Sequence, residues 1–217
     1  MNVAYLLNKY FKNCGHDVLI EVFDDKNIYA VYTDIVKGMS GNPNIELGVM
    51  QALSYCFYEI LDNVLTHSEK NCGTAVLHFN ANTNRIVILV ADDGIGIEAS
   101  LKQNDKYFDV SSEEALRLCI RDNVTDGKGM GFGLFSTSML VEHAGVVLTI
   151  HSGKHILSFD GKTVSVSEDD YWQGTVICFE LKSDVELDSK DILDGRVDAE
   201  SEFNDTFIDS DDLDNLW

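Results

Sequence analysis

The chain has 217 residues, 45% of them hydrophobic, and a formal net charge of −21. That length and apolar fraction suffice for one sizeable core, so one domain is expected. The charge argues against nucleic acid as a partner, because phosphate-backbone binding needs clustered Lys and Arg to release counterions. No apolar run approaches the roughly eighteen residues of a membrane span, and residues 1–7 lack the basic flank and long apolar region of a signal peptide. A cytoplasmic protein with no membrane partner is the expectation. The five cysteines (Cys14, Cys56, Cys72, Cys119, Cys178) are scattered and form no C-x-x-C pair, as befits buried thiols in a reducing compartment.

In chain order, Val3, Leu6, Leu7, Tyr10 and Phe11 have a helical spacing that predicts a short first helix ending at Gly15. Residues 18–23 and 28–32, rich in branched and aromatic side chains, predict a hairpin around 24–27. After a break over 38–43, which holds the only proline, a long helix is predicted over about 45–67. On it Met50, Phe57, Leu61 and Val64 gather on one side, while Glu59 and Asn63, four apart, stack on the other.

Two strands follow, 73–79 and 86–91. The second is almost continuously apolar, as a strand covered on both faces would be. Ser111 and Glu114 form a capping-box pattern that starts a helix. Another helix, carrying Leu134, Met139, Leu140 and Val141, opens after a glycine-rich loop, and three further strands are predicted over 146–151, 155–159 and 175–181. Residues 183–217 carry thirteen acids against two bases, a composition shift that places the one boundary before an acidic C-terminal tail. Its acids alternate with apolar residues, including Phe203 and Phe207 one helical turn apart. The stretch is either a solvated extension or a docking segment for a basic partner.

Three motifs carry chemistry. Glu59 can take a proton from water, and the oxygen of Asn63 suits a hard cation such as Mg²⁺; an amphipathic helix also shows such pairs on a merely solvated face. Asp92-x-Gly94-x-Gly96 ends a strand with a carboxylate that can accept from an exocyclic amino group such as that of adenine. The same residues also make ordinary turns. Gly127-x-Gly129-x-Gly131-x-Gly133, with Lys128 and Phe132 inside it, leads into a helix, so successive N–H groups and a helix N-terminus form an anion site. It is neither a Walker A loop nor a dinucleotide fingerprint.

In that order, and followed by Gly174-Thr175 entering a late strand, these boxes resemble the GHKL superfamily of ATPases, over roughly residues 45–182. The resemblance implies a two-layer α/β sandwich with a mixed sheet and helices on one face. Residues 1–44 would belong to the same domain. It further implies ATP and Mg²⁺ as cofactors, Glu59 as the catalytic carboxylate that polarises the attacking water or acceptor, and Asn63 as the metal ligand. Asp92 would read adenine, with Gly94 and Gly96 as the pocket floor and Thr175 supporting it. Residues 98–133 would form a lid whose Gly127, Lys128, Gly129, Gly131, Phe132 and Gly133 close on the phosphates.

Within the superfamily, the 59–68 helix looks most like that of sensor histidine kinases, and Tyr171 to Thr175 looks like their stand-alone prokaryotic relatives. About forty-five residues precede the nucleotide helix, too few for paired phosphoacceptor helices. His16 reads as a surface residue, and His67, His78, His143, His151 and His155 show no metal-ligand spacing. The implied activity is slow ATP hydrolysis, or transfer of the γ-phosphate to a separate protein partner in signalling or regulation. The alternative is a nucleotide-gated module that sequesters a partner. The oligomeric state stays open.

Overall fold

The computed structural model describes residues 2–12, 18–40, 42–128 and 133–193. Among them the chain runs α1 (Val3–Tyr10), β1 (Leu19–Asp24), α2 (Ile28–Ser40), α3 (Leu47–His67), β2 (Cys72–Asn80), β3 (Arg85–Ala91), α4 (Gly96–Leu101), α5 (Ser112–Cys119), α6 (Gly133–Ala144), β4 (Gly145–Phe159), β5 (Val164–Lys182) and α7 (Lys190–Leu193). Gly15 and His16 lie outside the described residues. No helix of the described residues is long and apolar enough to cross a membrane.

The five strands form one sheet in the order β1-β2-β3-β5-β4, packed under a layer of helices in a two-layer α/β sandwich. Its central strand, β3, alternates between faces. Ile86, Ile88 and Val90 turn toward the helical layer, while Val87, Leu89 and Ala91 belong to a second cluster on the other side. Both sets are buried, which is why the sequence there reads as continuously apolar. The main core is organised by α3, whose Val49, Leu53, Phe57, Ile60, Leu61 and Val64 pack into it. The helix starts at Leu47 because the Glu46 carboxylate accepts from the Gly48 and Val49 N–H groups.

Two features of the expected sandwich differ. The sheet is antiparallel in every ladder rather than mixed. Two helices, not one, separate β1 from β2, so the chain re-enters the sheet at the end where it left. Nor are the helices confined to one face: α1 lies on the opposite side, burying Leu6 against Val76, Leu89 and Val176 with Phe11 beside it.

The expected hairpin over 18–32 is a strand followed by a helix. Asp24 accepts from the Lys26 and Asn27 N–H groups while Asn27 Oδ1 accepts from Asp24 N–H, which ends β1 in a tight turn. From Ile28 onward, Val31, Ile35 and Met39 fall every fourth residue and are all buried, so the helical period of the longer segment overrides the strand-like first five residues. Residues 145–159 likewise form one strand rather than two. The interruption at Ser152-Gly153 is a bulge in the β4/β5 ladder.

The core continues past residue 183. Ser183 is fully buried, its carbonyl accepting from Glu46 N–H at 2.7 Å and its N–H donating to Asn84 O at 2.8 Å. Leu187 and Ile192 join the main core, and the Leu187 main chain lies directly over Gly48. Phe203 and Phe207 lie outside the described residues. Burial of a Leu or Ile side chain stabilises by about 1.5–3 kcal/mol, so removing residues 184–217 should lower the unfolding free energy by several kcal/mol. Urea melts of the full chain and of the truncated one measure the difference. Equal melts would show that Leu187 and Ile192 hold nothing together.

Candidate functional site

The motif residues converge on one cavity of about 320 Å³ between α3, the loop after β3, α4, the start of α6 and β5, a size ordinary for small-molecule sites. Glu59, Asn63, Asp92, Gly96, Lys128, Gly133 and Thr175 all line it. Gly94 and Gly127 do not, since Gly94 packs behind the loop against Ser68. Gly129, Gly131 and Phe132 lie outside the described residues. Of the expected lid, residues 98–120 are largely wall: Leu101, Tyr107, Ala115, Leu116 and Cys119 are buried in the main core.

On α3, Glu59, Asn63 and His67 recur every fourth residue and so form one stripe along the cavity. The first residue of α6 sits on that stripe. A Cβ at Gly133 would come 2.7 Å from Asn63 Nδ2 and 3.2 Å from Glu59 Cβ, so only glycine lets the α6 N-terminus approach so closely. The N–H groups and partial positive charge of a helix N-terminus suit an anion. A carboxamide oxygen and a carboxylate beside it form a hard-oxygen donor set that fits Mg²⁺.

Asp92 is 3% exposed at the end of β3. Burial pushes its carboxyl up to about 6, against the opposing effect of hydrogen bonds from the Gly94 and Thr175 backbone. The Gly94 N–H donates to Asp92 Oδ1 at 2.7 Å, and the Asp92 N–H donates to Thr175 O at 2.9 Å. Gly174, at φ +92°, leaves room for this: a Cβ there would fall 2.5 Å from Asp92 Oδ1. Ser152 and Ser68 complete the frame. Ser152 Oγ accepts from Ile97 N–H at 3.0 Å and donates to Gly174 O at 2.8 Å, and Ser68 O accepts from Ile95 N–H at 3.0 Å.

An acid with a raised folded-state pKa gives its full stability below its unfolded value near 4 and loses it as pH rises through 6. At about pH 7 the buried Asp92 anion therefore costs roughly 3 kcal/mol at most. Asp92→Asn should melt at a higher temperature than wild type near pH 7, with the gap closing toward pH 4. A gap independent of pH would show that Asp92 is not the strained carboxylate.

A second polar cluster anchors the other rim. Asp126 Oδ2 lies 2.8 Å from His67 Nδ1 and accepts from Ser100 Oγ at 2.8 Å, while Oδ1 accepts from Lys128 N–H at 3.0 Å. Burial opposes ionisation, yet the Lys128, His67 and Ser100 bonds outweigh it and hold the Asp126 carboxyl below the usual range. It ties the start of the glycine-rich segment to the ends of α3 and α4. Neither His67 nor Asp126 is a site residue in the sequence reading. The available signal is the period, because His67 stands four residues beyond Asn63 and eight beyond Glu59. Ser68 ends the 59–68 stretch and Asp126 adjoins the glycine-rich loop, while Ser152 has no local signal.

Among the described residues no cluster of three or more His, Cys, Asp or Glu side chains is placed to hold a metal. A buried carboxylate, a hard-oxygen pair and a helix N-terminus sharing one cavity on an α/β sandwich are the arrangement of an ATP-binding module of the GHKL type. The family model described as Histidine kinase-, DNA gyrase B-, and HSP90-like ATPase matches residues 48–185, and the chain belongs to that family. A search of curated proteins finds no match to the chain.

Proposed function

We propose that the protein is a Mg²⁺-dependent ATPase or protein kinase acting in regulation, with the γ-phosphate passing slowly to water or to a separate partner protein. The observation that carries this reading is that Glu59 and Asn63 stand on the same cavity as Asp92. A base is thus retained where a pure binding pocket would need none. Asp92 would accept from the adenine amino group, and Ile97, Leu101 and Ile177 give the base apolar surroundings. Asn63 would hold Mg²⁺, which when bound neutralises phosphate charge. The Gly133 end of α6 and Lys128 would receive the phosphates. Glu59 accepts the proton of the attacking water or acceptor hydroxyl.

The scattered cysteines, with no C-x-x-C pair, support a reducing, cytoplasmic setting. The charge of −21 supports a protein partner rather than nucleic acid. Incubation with γ-labelled ATP, alone and with cell lysate, tests the reading. Label released as phosphate or moved to a protein supports it. ATP that binds but keeps its label throughout would instead favour a nucleotide-gated module that sequesters its partner.

A further inference from the structure

We infer that Trp172 is the positioning residue for the adenine-reading loop, and that α1, on the far face of the sheet, holds Trp172 in place. N-terminal helix docking and nucleotide binding are then coupled. This rests on the reading of Asp92 as the adenine acceptor.

The segment 172–175 acts as a template for the loop 92–97. Trp172 Nε1–H donates to Asp92 O at 3.0 Å, and Asp92 N–H donates to Thr175 O at 2.9 Å. Both main-chain polar groups of Asp92 are therefore fixed by β5. Gln173 Nε2 donates to Gly94 O, and Gly174 O is reached through Ser152. Trp172 is 9% exposed and belongs to the cluster on the far face of the sheet. Its ring thus stands opposite the cavity while its N–H reaches the strand end that the cavity uses. Withdrawing the indole N–H takes from that buried carbonyl the side-chain donor that fixes it.

The α1 helix grips the same segment with three side chains. Tyr5 stacks on the Trp172 ring at 5.7 Å between centroids and 18° between planes. Lys9 Nζ pairs with Asp169 Oδ1 at 2.7 Å. Tyr10 Oη lies 3.1 Å from His151 Nδ1, and His151 Nε2 lies 2.7 Å from Asp170 O. A carbonyl can only accept, so Nε2 carries the proton and Nδ1 takes the one from Tyr10. Burial favours the neutral forms of both rings, pulling the His151 pKa down and the Tyr10 pKa up. The Tyr5 contact falls on Trp172 itself, the Lys9 pair on Asp169, and the Tyr10 contact reaches Asp170 through His151 of β4, so all three lead to β5 at or just before the template. A helix that merely covered apolar surface would need none of these polar contacts.

By linkage, ATP must tighten α1 as much as α1 tightens the ATP site. Two measurements test this. In wild type, hydrogen exchange of the α1 amides should slow when ATP binds and respond far less to GTP at equal occupancy. In Trp172→Phe, which keeps an aromatic ring on Tyr5 and removes the N–H, ATP affinity should fall about three- to thirtyfold while GTP affinity stays within about twofold. A merely structural loss would weaken both nucleotides alike. Should Trp172→Phe fail to fold, the exchange measurement on wild type still decides. Unchanged α1 exchange with ATP bound, or an unchanged ATP-to-GTP ratio in a folded Trp172→Phe, overturns the inference. Wild type that binds ATP and GTP equally overturns the reading of Asp92 beneath it.

Discussion

Glu59→Ala should leave nucleotide bound and slow turnover by roughly a hundredfold or more, the usual contribution of a positioned base. The substitution removes a carboxylate from the α3 stripe but leaves on the cavity Asn63 and Asp92, to which the proposal assigns Mg²⁺ and adenine. The fold should tolerate it, since Glu59 is only partly buried and lies off the apolar face formed by Phe57, Ile60 and Leu61. Asn63→Ala should behave differently, weakening binding chiefly when Mg²⁺ is present. Steady-state turnover and equilibrium binding with and without Mg²⁺ separate the two. Wild-type turnover in Glu59→Ala would make Glu59 structural and favour the sequestering reading.

Asp92→Ala should weaken ATP binding by a factor of roughly five to a hundred or more, because the amino group of the base is left unpaired in a buried pocket, a loss of about 1–3 kcal/mol. GTP should bind wild type poorly, since guanine presents an acceptor where adenine presents a donor, and the carboxylate repels it. Removing the carboxylate should therefore narrow the preference from both sides. Titration of each nucleotide into wild type and variant measures this, and equal affinities in wild type would remove Asp92 from recognition.

How far the sequence reveals this architecture depends on the range of the interaction. The periods of α3, β2 and β3 are long and clean, and their positions follow from them. The run 28–32 is five residues long and fits both periods, so it reads as a strand until Ile35 and Met39 are counted with it. The Ser152-Gly153 interruption resembles a turn because bulge and turn use the same residues. Sheet direction and the side on which α1 packs depend on how helices return the chain, which no local pattern encodes.

The site divides in the same way. Glu59, Asn63, Asp92 and Gly133 stand in short motifs whose chemistry can be read residue by residue. Asp126, His67, Ser152 and Trp172 act through hydrogen bonds that join positions up to 80 residues apart. Trp172 stands in the stretch 171–175 that carries a family resemblance, but only its indole N–H on the Asp92 carbonyl shows what it positions.

A structure of the protein with Mg²⁺ and a non-hydrolysable ATP analogue would bear most directly on the whole reading. The adenine amino group should lie within hydrogen-bond distance of the Asp92 carboxylate, the metal on the Asn63 carboxamide oxygen, and the phosphates at the Gly133 end of α6 with Glu59 beside them. An analogue seated outside this cavity, or with its adenine turned away from Asp92, would contradict it.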